Sequence, residues 1–310
     1  MIPSDQPHLT IASQSHAGET GKNNEDAYST SAYRLEADQT PSLLAVVADG
    51  IGGHQAGEIA SGIAVETAVR HLAAANGRQP VAQLRAAVVD AGRAVAQAAM
   101  EAEERAGMGS TIAVVWIIGL RLYTATVGDS RIYHMRQGRL RQLSLDHTWI
   151  QEALEHHIIT PEEARNHPNA HILRRHLGGS LDVEPDLRMR WNSGDDDVRA
   201  LARQGLRLEP GDQILLCTDG LTDLVADHEL GEALTSGASK EAVDSLVVLA
   251  RARGGHDNIT LVLLGVPPEA ATAVRRRLSP WTVAAAVAGL ATLVALAMAA
   301  AWLLGFWPWR

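Results

Sequence analysis

The apolar positions of the chain fall into short runs that stop abruptly at small polar residues. Leu43–Ala48, Thr111–Ile118, Arg121–Val127, Arg131–Arg136, Gln213–Thr218 and Asn258–Val266 are rich in Val, Ile and Leu and are bounded by Gly, Asp or Asn, the pattern of β-strands. WIIGLRLY predicts a hairpin turning at Gly119–Leu120, and YHMRQGRLRQL a second at Gln137–Gly138, because glycine takes turn conformations without steric penalty. Ala56–Ala75 and Val81–Arg105 behave differently. They are alanine-rich, carry charges at intervals and contain no proline, which predicts two helices. A further helix is predicted to start at Thr160, a cap residue followed by Pro161 and Glu163, and to stop at Pro168. Strands follow strands and the long helices stand together. That order predicts an α+β fold, an antiparallel-rich sandwich with flanking helices, and argues against a doubly wound sheet.

The pattern changes completely near the C-terminus. From Trp281 to Trp307 there are 27 residues without a charge, and a membrane-spanning helix needs about 20 apolar residues. Four of the seven tryptophans (Trp281, Trp302, Trp307 and Trp309) lie at or just past the ends of this segment, where an indole ring would sit at the membrane–water interface. The organisation predicted is therefore a body at 1–268, a basic juxtamembrane linker at 269–280 and a transmembrane helix at 281–307. Arg275, Arg276 and Arg277 precede the span, which predicts a single-pass protein of the cell membrane with its body in the cytoplasm. The first ten residues show no signal-peptide pattern. The competing reading, a buried core helix, would require 27 apolar positions with no polar face.

Charge narrows the partners. The chain carries −9, and the tail from Glu269 onward holds one acid and four arginines, so the first 268 residues carry −12. Such a body is unsuited to nucleic acid, which is bound through Lys/Arg–phosphate contacts, and suited to cations. A single cysteine, Cys217, excludes an intrachain disulfide and reads as an inert core residue.

The acids recur in one setting. LLAVVADGIGGH ends a strand on Asp49, DQILLCTDGLTD ends one on Asp219, ATVGDSRIY sets Asp129 between two strands, GGHDNITLVLLG sets Asp257 at a strand head, and Glu25–Asp26 in NNEDAYS precedes another possible strand. One Asp-Gly pair marks an ordinary turn. Five such sites delivering carboxylates to one point would repel by roughly 4 kcal/mol per pair at 4 Å and an effective dielectric near 20, unless divalent cations lie between them. An all-oxygen set without matching Cys and His points to Mg2+ or Mn2+ rather than Zn2+, with the Gly50 carbonyl as a further ligand. Two such ions could activate a water for attack on phosphorus.

NNEDAY, VVADGIGGHQAGEIAS, GSTIAVV, VGDSRIYHMRQGRL, LDHT, LLCTDGLTD and GGHDNIT stand in the order seen in type-2C, metal-dependent serine/threonine protein phosphatases. The chain resembles the compact bacterial branch from about Thr10 to Pro267. The resemblance implies a sandwich with helices on both faces, and hydrolysis of phosphoserine and phosphothreonine in proteins by metal-activated water without a phosphoenzyme. It also implies a serine/threonine kinase as the opposing partner. It makes Asp49 the acid bridging two central Mn2+ or Mg2+ ions, Asp219 and Asp257 further ligands of the first, and Glu25 with the Gly50 carbonyl ligands of the second. Asp26 would orient the attacking water, Asp129 with Asp219 would hold a third, weaker ion, and Asn258 would support the site. His54 would protonate the leaving oxygen, and residues 145–171 would form a flap over the site. Many members grip the substrate phosphate with an arginine where this chain has Gly21; Lys22 is the neighbouring cation, without an arginine's bidentate fork. That departure keeps one alternative open, a membrane-tethered pseudophosphatase or phosphoprotein-binding regulator with weak turnover; a two-metal enzyme acting on small phosphoesters is a further reading independent of it.

Overall fold

The computed structural model describes residues 1–52, 56–164, 167–169, 172–192 and 194–268. His54, the 269–280 linker and the 281–307 span lie outside the described residues. Among the described residues no helix is long and apolar enough to cross a membrane. The chain divides into two units, Met1–Pro267 and Pro268–Arg310, and the architecture below is that of the first.

Two antiparallel sheets form the centre. The first runs Ile2–Pro3, Ala27–Arg34, Pro41–Ala48, Ile112–Ile118, Arg121–Val127, Leu206–Arg207 in spatial order, and the second Arg139–Gln142, Arg131–Arg136, Gln213–Cys217, Ile259–Gly265, Thr10–His16. Side chains alternate between the faces of a strand, and here both faces are covered. Leu44, Val46 and Ala48 join Val114, Trp116, Ala125 and Val127 against the helices Ala56–Ala73 and Pro80–Glu101. Leu43, Ala45 and Val47, equally buried, point the other way, toward the second sheet. This double burial explains why these strands read as continuous apolar runs without alternation. The two helices pack against each other, and small residues dominate their buried positions, Ala60, Ala64 and Ala68 on one and Ala87 and Ala91 on the other.

The outer face of the second sheet is covered by helices Asp227–Ser236 and Ser239–Ala252, whose Leu230, Leu234, Ala242, Val243, Leu246, Val247 and Ala250 pack on Tyr133, Leu215, Leu261 and Leu263. The result is the α+β sandwich with helices on both faces. Both predicted hairpins form: Ile118 pairs with Arg121 around Gly119 at φ +60°, and Arg136 pairs with Arg139 around Gln137 and Gly138 at φ +52° and +74°.

Three expectations shift. The second long helix ends at Glu101, Ala102 is extended, and Glu103–Arg105 forms a separate 3₁₀ turn. Among the described residues the helix begun at Thr160 is Pro161–Ala164, and the chain is no longer helical at 167; its start is held by reciprocal bonds in which Glu163 N donates to Thr160 Oγ1 and Thr160 N to Glu163 Oε2. The strand Thr10–His16 and the two helices of the second face were not expected from periodicity.

Candidate metal centre

Every strand that precedes or follows one of the acids ends at the same edge of the sandwich. Asp49 follows Pro41–Ala48, Glu25 and Asp26 precede Ala27–Arg34, and Asp129 lies between Arg121–Val127 and Arg131–Arg136. Asp219 opens a one-turn helix behind Gln213–Cys217, and Asp257 stands just before Ile259–Gly265. Glu25, Asp49, Gly50, Asp129, Asp219, Asp257 and Asn258 line one cavity of about 660 Å3, with Lys22 at its edge. Asp26 sits behind this cavity, its Oδ2 accepting from Thr218 Oγ1 at 2.9 Å.

Backbone contacts fix the arrangement. Asp49 N donates to Thr111 Oγ1 at 2.9 Å, and the Asp49 carbonyl accepts from Thr111 N at 2.8 Å, so the end of one strand is clamped to the start of its neighbour. Asn258 ties the other side: its Oδ1 accepts from Glu25 N at 2.7 Å, and its Nδ2 donates to the carbonyls of Ala17 and Asn23 at 3.1 and 3.2 Å. Ser61, in the first long helix, donates to the Glu25 carbonyl at 2.6 Å. The glycines are required by contact. A Cβ on Gly50 would run into the Gly57 and Glu25 carbonyls, and one on Gly57 would strike the Glu25 carboxylate and the Gly50 carbonyl. The Glu25 side chain and the Gly50 carbonyl oxygen therefore converge over Gly57.

The electrostatics are those of crowded acids. Burial, with Asp219 and Asp26 beside it and a hydrogen bond shared with Asp219, holds Asp49 well above the usual carboxylate range. Burial first, and then Asp219 and Asp257, push Asp26 up to about 7 against the Thr260 and Thr218 hydroxyls, which favour its charged form. Burial, Asp219 and Asp146 push Asp129 up to about 8, opposed by Arg131. Arg131 is itself locked to Asp146 by two hydrogen bonds to Oδ2 at 2.9 and 2.7 Å.

These groups suit hard divalent cations. The donors are all oxygens, and Asp26 Oδ1 is buried with no hydrogen-bond partner among the described residues. Among the described residues no three or more His, Cys, Asp or Glu side chains are already gathered closely enough to hold a metal ion by themselves. Oxygen donors are what Mg2+ or Mn2+ take, with one or two carboxylates each and the remaining positions filled by carbonyls and water. Zn2+, by contrast, takes a tetrahedral N/S set.

Two lining residues were missed by the sequence reading. Asp223 and His256 face the same cavity. Asp223 caps the end of the one-turn helix that Asp219 opens, between Thr222 and Leu224, and so lacks the strand-end setting beside Gly or Asn that marked the other acids. His256 adjoins Asp257 but had no pattern of its own. Gly21, at φ +73° with open space where a Cβ would stand, offers no side chain.

A family model described as protein phosphatase 2C matches residues 14–258. The chain is 37% identical over 262 residues to the serine/threonine protein phosphatase PstP of Mycobacterium tuberculosis, covering 83% of this chain and 45% of that protein. It thus spans about half the length of that relative. It is 33% identical over 230 residues to the serine/threonine phosphatase stp of Listeria welshimeri, covering 71% of this chain and 83% of that one. The crystal structure of the PstP catalytic domain in complex with two manganese ions superposes with a TM-score of 0.67 at 34% identity, over 83% of this chain and 97% of that one.

Proposed function

This chain belongs to the protein phosphatase 2C family, and on that premise we propose that it hydrolyses phosphoserine and phosphothreonine in proteins with the help of Mn2+ or Mg2+. The observation that carries the proposal is the convergence of acids from separate strand ends on one cavity. Asp49, Asp219 and Asp257, with Glu25 and the Gly50 carbonyl, would hold two ions, and Asp129 with Asp219 a third. When bound, two such ions supply a nucleophilic oxygen at neutral pH and offset the charge of the phosphoryl group.

The chain's own groups do the rest. Thr218 pins Asp26 Oδ2, which leaves Oδ1 to accept a hydrogen bond from the attacking water. Water oxygen forms a bond to phosphorus as it gives up one proton to the surrounding solvent, the bond from phosphorus to the seryl or threonyl oxygen breaks, and that oxygen takes up a proton, for which His54, reprotonated from solvent afterwards, is our assigned donor. Asn258 holds the Glu25 loop against the head of the Ile259–Gly265 strand. Lys22, at the mouth of the cavity, adds positive charge where a phosphate dianion enters.

We assign the body to the cytoplasmic face of the membrane, anchored through 281–307 and opposing a serine/threonine kinase. The supports are the 27 uncharged residues and the three arginines ahead of them. The test of activity is phosphate release from a phosphothreonine peptide. Mn2+ should support turnover, a chelator should abolish it, and Asp219→Ala should lose more than about 100-fold, since even groups that merely support a metal's ligands are worth 10–100-fold. Metal-dependent peptide binding without any release would replace the enzyme by a phosphoprotein-binding module, the reading that Gly21 favours.

A further inference from the structure

A second, larger cavity of about 1120 Å3 adjoins the acidic one, and the two share Lys22, Asn23, Glu25 and Gly52 in their linings. Its floor includes Ala56 and Ile59 from the first long helix, and another part of its lining is Ala102, Glu104 and Arg105. Arg105 stands there because the preceding helix stops at Glu101 and the extended Ala102 throws the chain into a separate 3₁₀ turn.

Three observations converge on Arg105. The cavity exceeds the roughly 300–1,000 Å3 of small-ligand sites, so a bare phosphate would leave most of it empty and a peptide segment would fill it. A phosphorylated peptide is an anion approaching a body of net negative charge, and among the described residues lining the two cavities the lysine and arginine side chains are Lys22 and Arg105 alone. Arg105 is also available: among the described residues its guanidinium meets one acid, Glu101, at 3.9 Å, with 36% of the Arg105 side chain and 71% of the Glu101 side chain exposed. An exposed pair at that distance contributes little and yields readily to a better partner. A guanidinium fork matches two oxygens of a carboxylate or phosphate at once.

We propose that Arg105 is a substrate-binding residue that holds an oxyanion of a phosphorylated peptide lying in this second cavity while the phosphoryl group reaches the carboxylate centre. The proposal rests on the phosphatase reading above. The oxyanion is either the phosphoryl group itself or a carboxylate flanking the phosphorylated residue, and the substrates of the test separate these.

The experiment uses the full chain with Mn2+, as wild type, Arg105→Ala and Arg105→Lys. The substrates are p-nitrophenyl phosphate, a phosphothreonine peptide with neutral flanks and the same peptide with glutamate flanks. Loss of a charge-assisted bidentate contact should raise KM for the affected substrate about tenfold or more, leave kcat within about twofold, and be recovered in part by lysine. A rise confined to the glutamate-flanked peptide identifies a flanking carboxylate; a rise for all three identifies the phosphoryl group. Unchanged KM for every substrate overturns the proposal. If wild type releases no phosphate from any of them, the phosphatase reading fails by itself. Fluorescence anisotropy with the same labelled peptides then decides the role of Arg105: weaker binding by Arg105→Ala supports it, equal binding overturns it.

Discussion

Asp49 and Asp219 are held side by side because each lies at the tip of a strand whose other end is buried in the sandwich, so neither acid can retreat without pulling core residues out. The chain thus maintains a repulsion that only protons or cations can relieve. The sign of the pH dependence follows. Asp26 ionises near 3.8 in an unfolded chain and near 7 here, and Asp129 near 8. Between those values the folded protein holds protons that the unfolded chain has released, so stability falls as pH rises through that window. Without divalent ions the thermal midpoint should fall from pH 5 to pH 8, and excess Mn2+ should raise it most at pH 8, where the carboxylates are otherwise least tolerated. A midpoint that rises over the same range without metal would show that these acids do not face one another. Asp212 works in the opposite sense. Its burial is outweighed by hydrogen bonds from His134 and Arg136, its carboxyl is held at about 2, and its contribution is lost only as pH falls below the ordinary 3.8.

The helices Asp227–Ser236 and Ser239–Ala252 show which information the chain carries openly and which it hides. In the second, Ala242, Val243, Leu246, Val247 and Ala250 are buried, an i, i+4, i+8 stripe that periodicity alone would have revealed. Leu246 is 1% exposed in the core of that face. Leu246→Ala should destabilise by about 2–5 kcal/mol, read as a lower urea midpoint with an unchanged slope, and leave kcat/KM of the folded fraction near wild type because none of the site acids lies on this helix and Leu246 points into the core of that face. A loss of turnover without a loss of stability would place this helix in the site. The strand Thr10–His16 was harder to see. It is the edge of its sheet, every residue in it is at least partly exposed, and TIASQSH lacks the apolar run that marked the central strands. The acids were legible because each breaks an apolar run with Asp beside Gly or Asn. Arg105 was not, because an alanine-rich stretch with spaced charges reads as one helix through 105, and only the extended Ala102 turns its last residues into a cavity wall. Asp223, between Thr222 and Leu224 at the end of a one-turn helix, does not meet that rule and stayed hidden.

At the scale of the whole molecule, charge and hydropathy are partitioned along the chain rather than mixed. The acid-rich first 268 residues carry −12, and the remaining 42 carry +3 with their arginines clustered ahead of 27 uncharged positions. The membrane location proposed above could rest on either of two mechanisms, and they respond differently to salt. Arg275–Arg277 alone would attract anionic headgroups, an interaction screened at 1 M salt, where the Debye length is about 3 Å. Burial of the 281–307 segment in hydrocarbon would not be screened at all. In fractionated cells the full chain should therefore stay in the membrane pellet through 1 M salt and alkaline carbonate and leave only with detergent. A chain ending at Ala271 lacks both features and should be soluble, with the metal-dependent phosphatase activity of the full chain. Release of the full chain by salt alone would reduce the tail to an electrostatic tether. Recovery of both chains in the soluble fraction would remove the membrane from the account while leaving the carboxylate centre, which depends on residues before 259, as it stands.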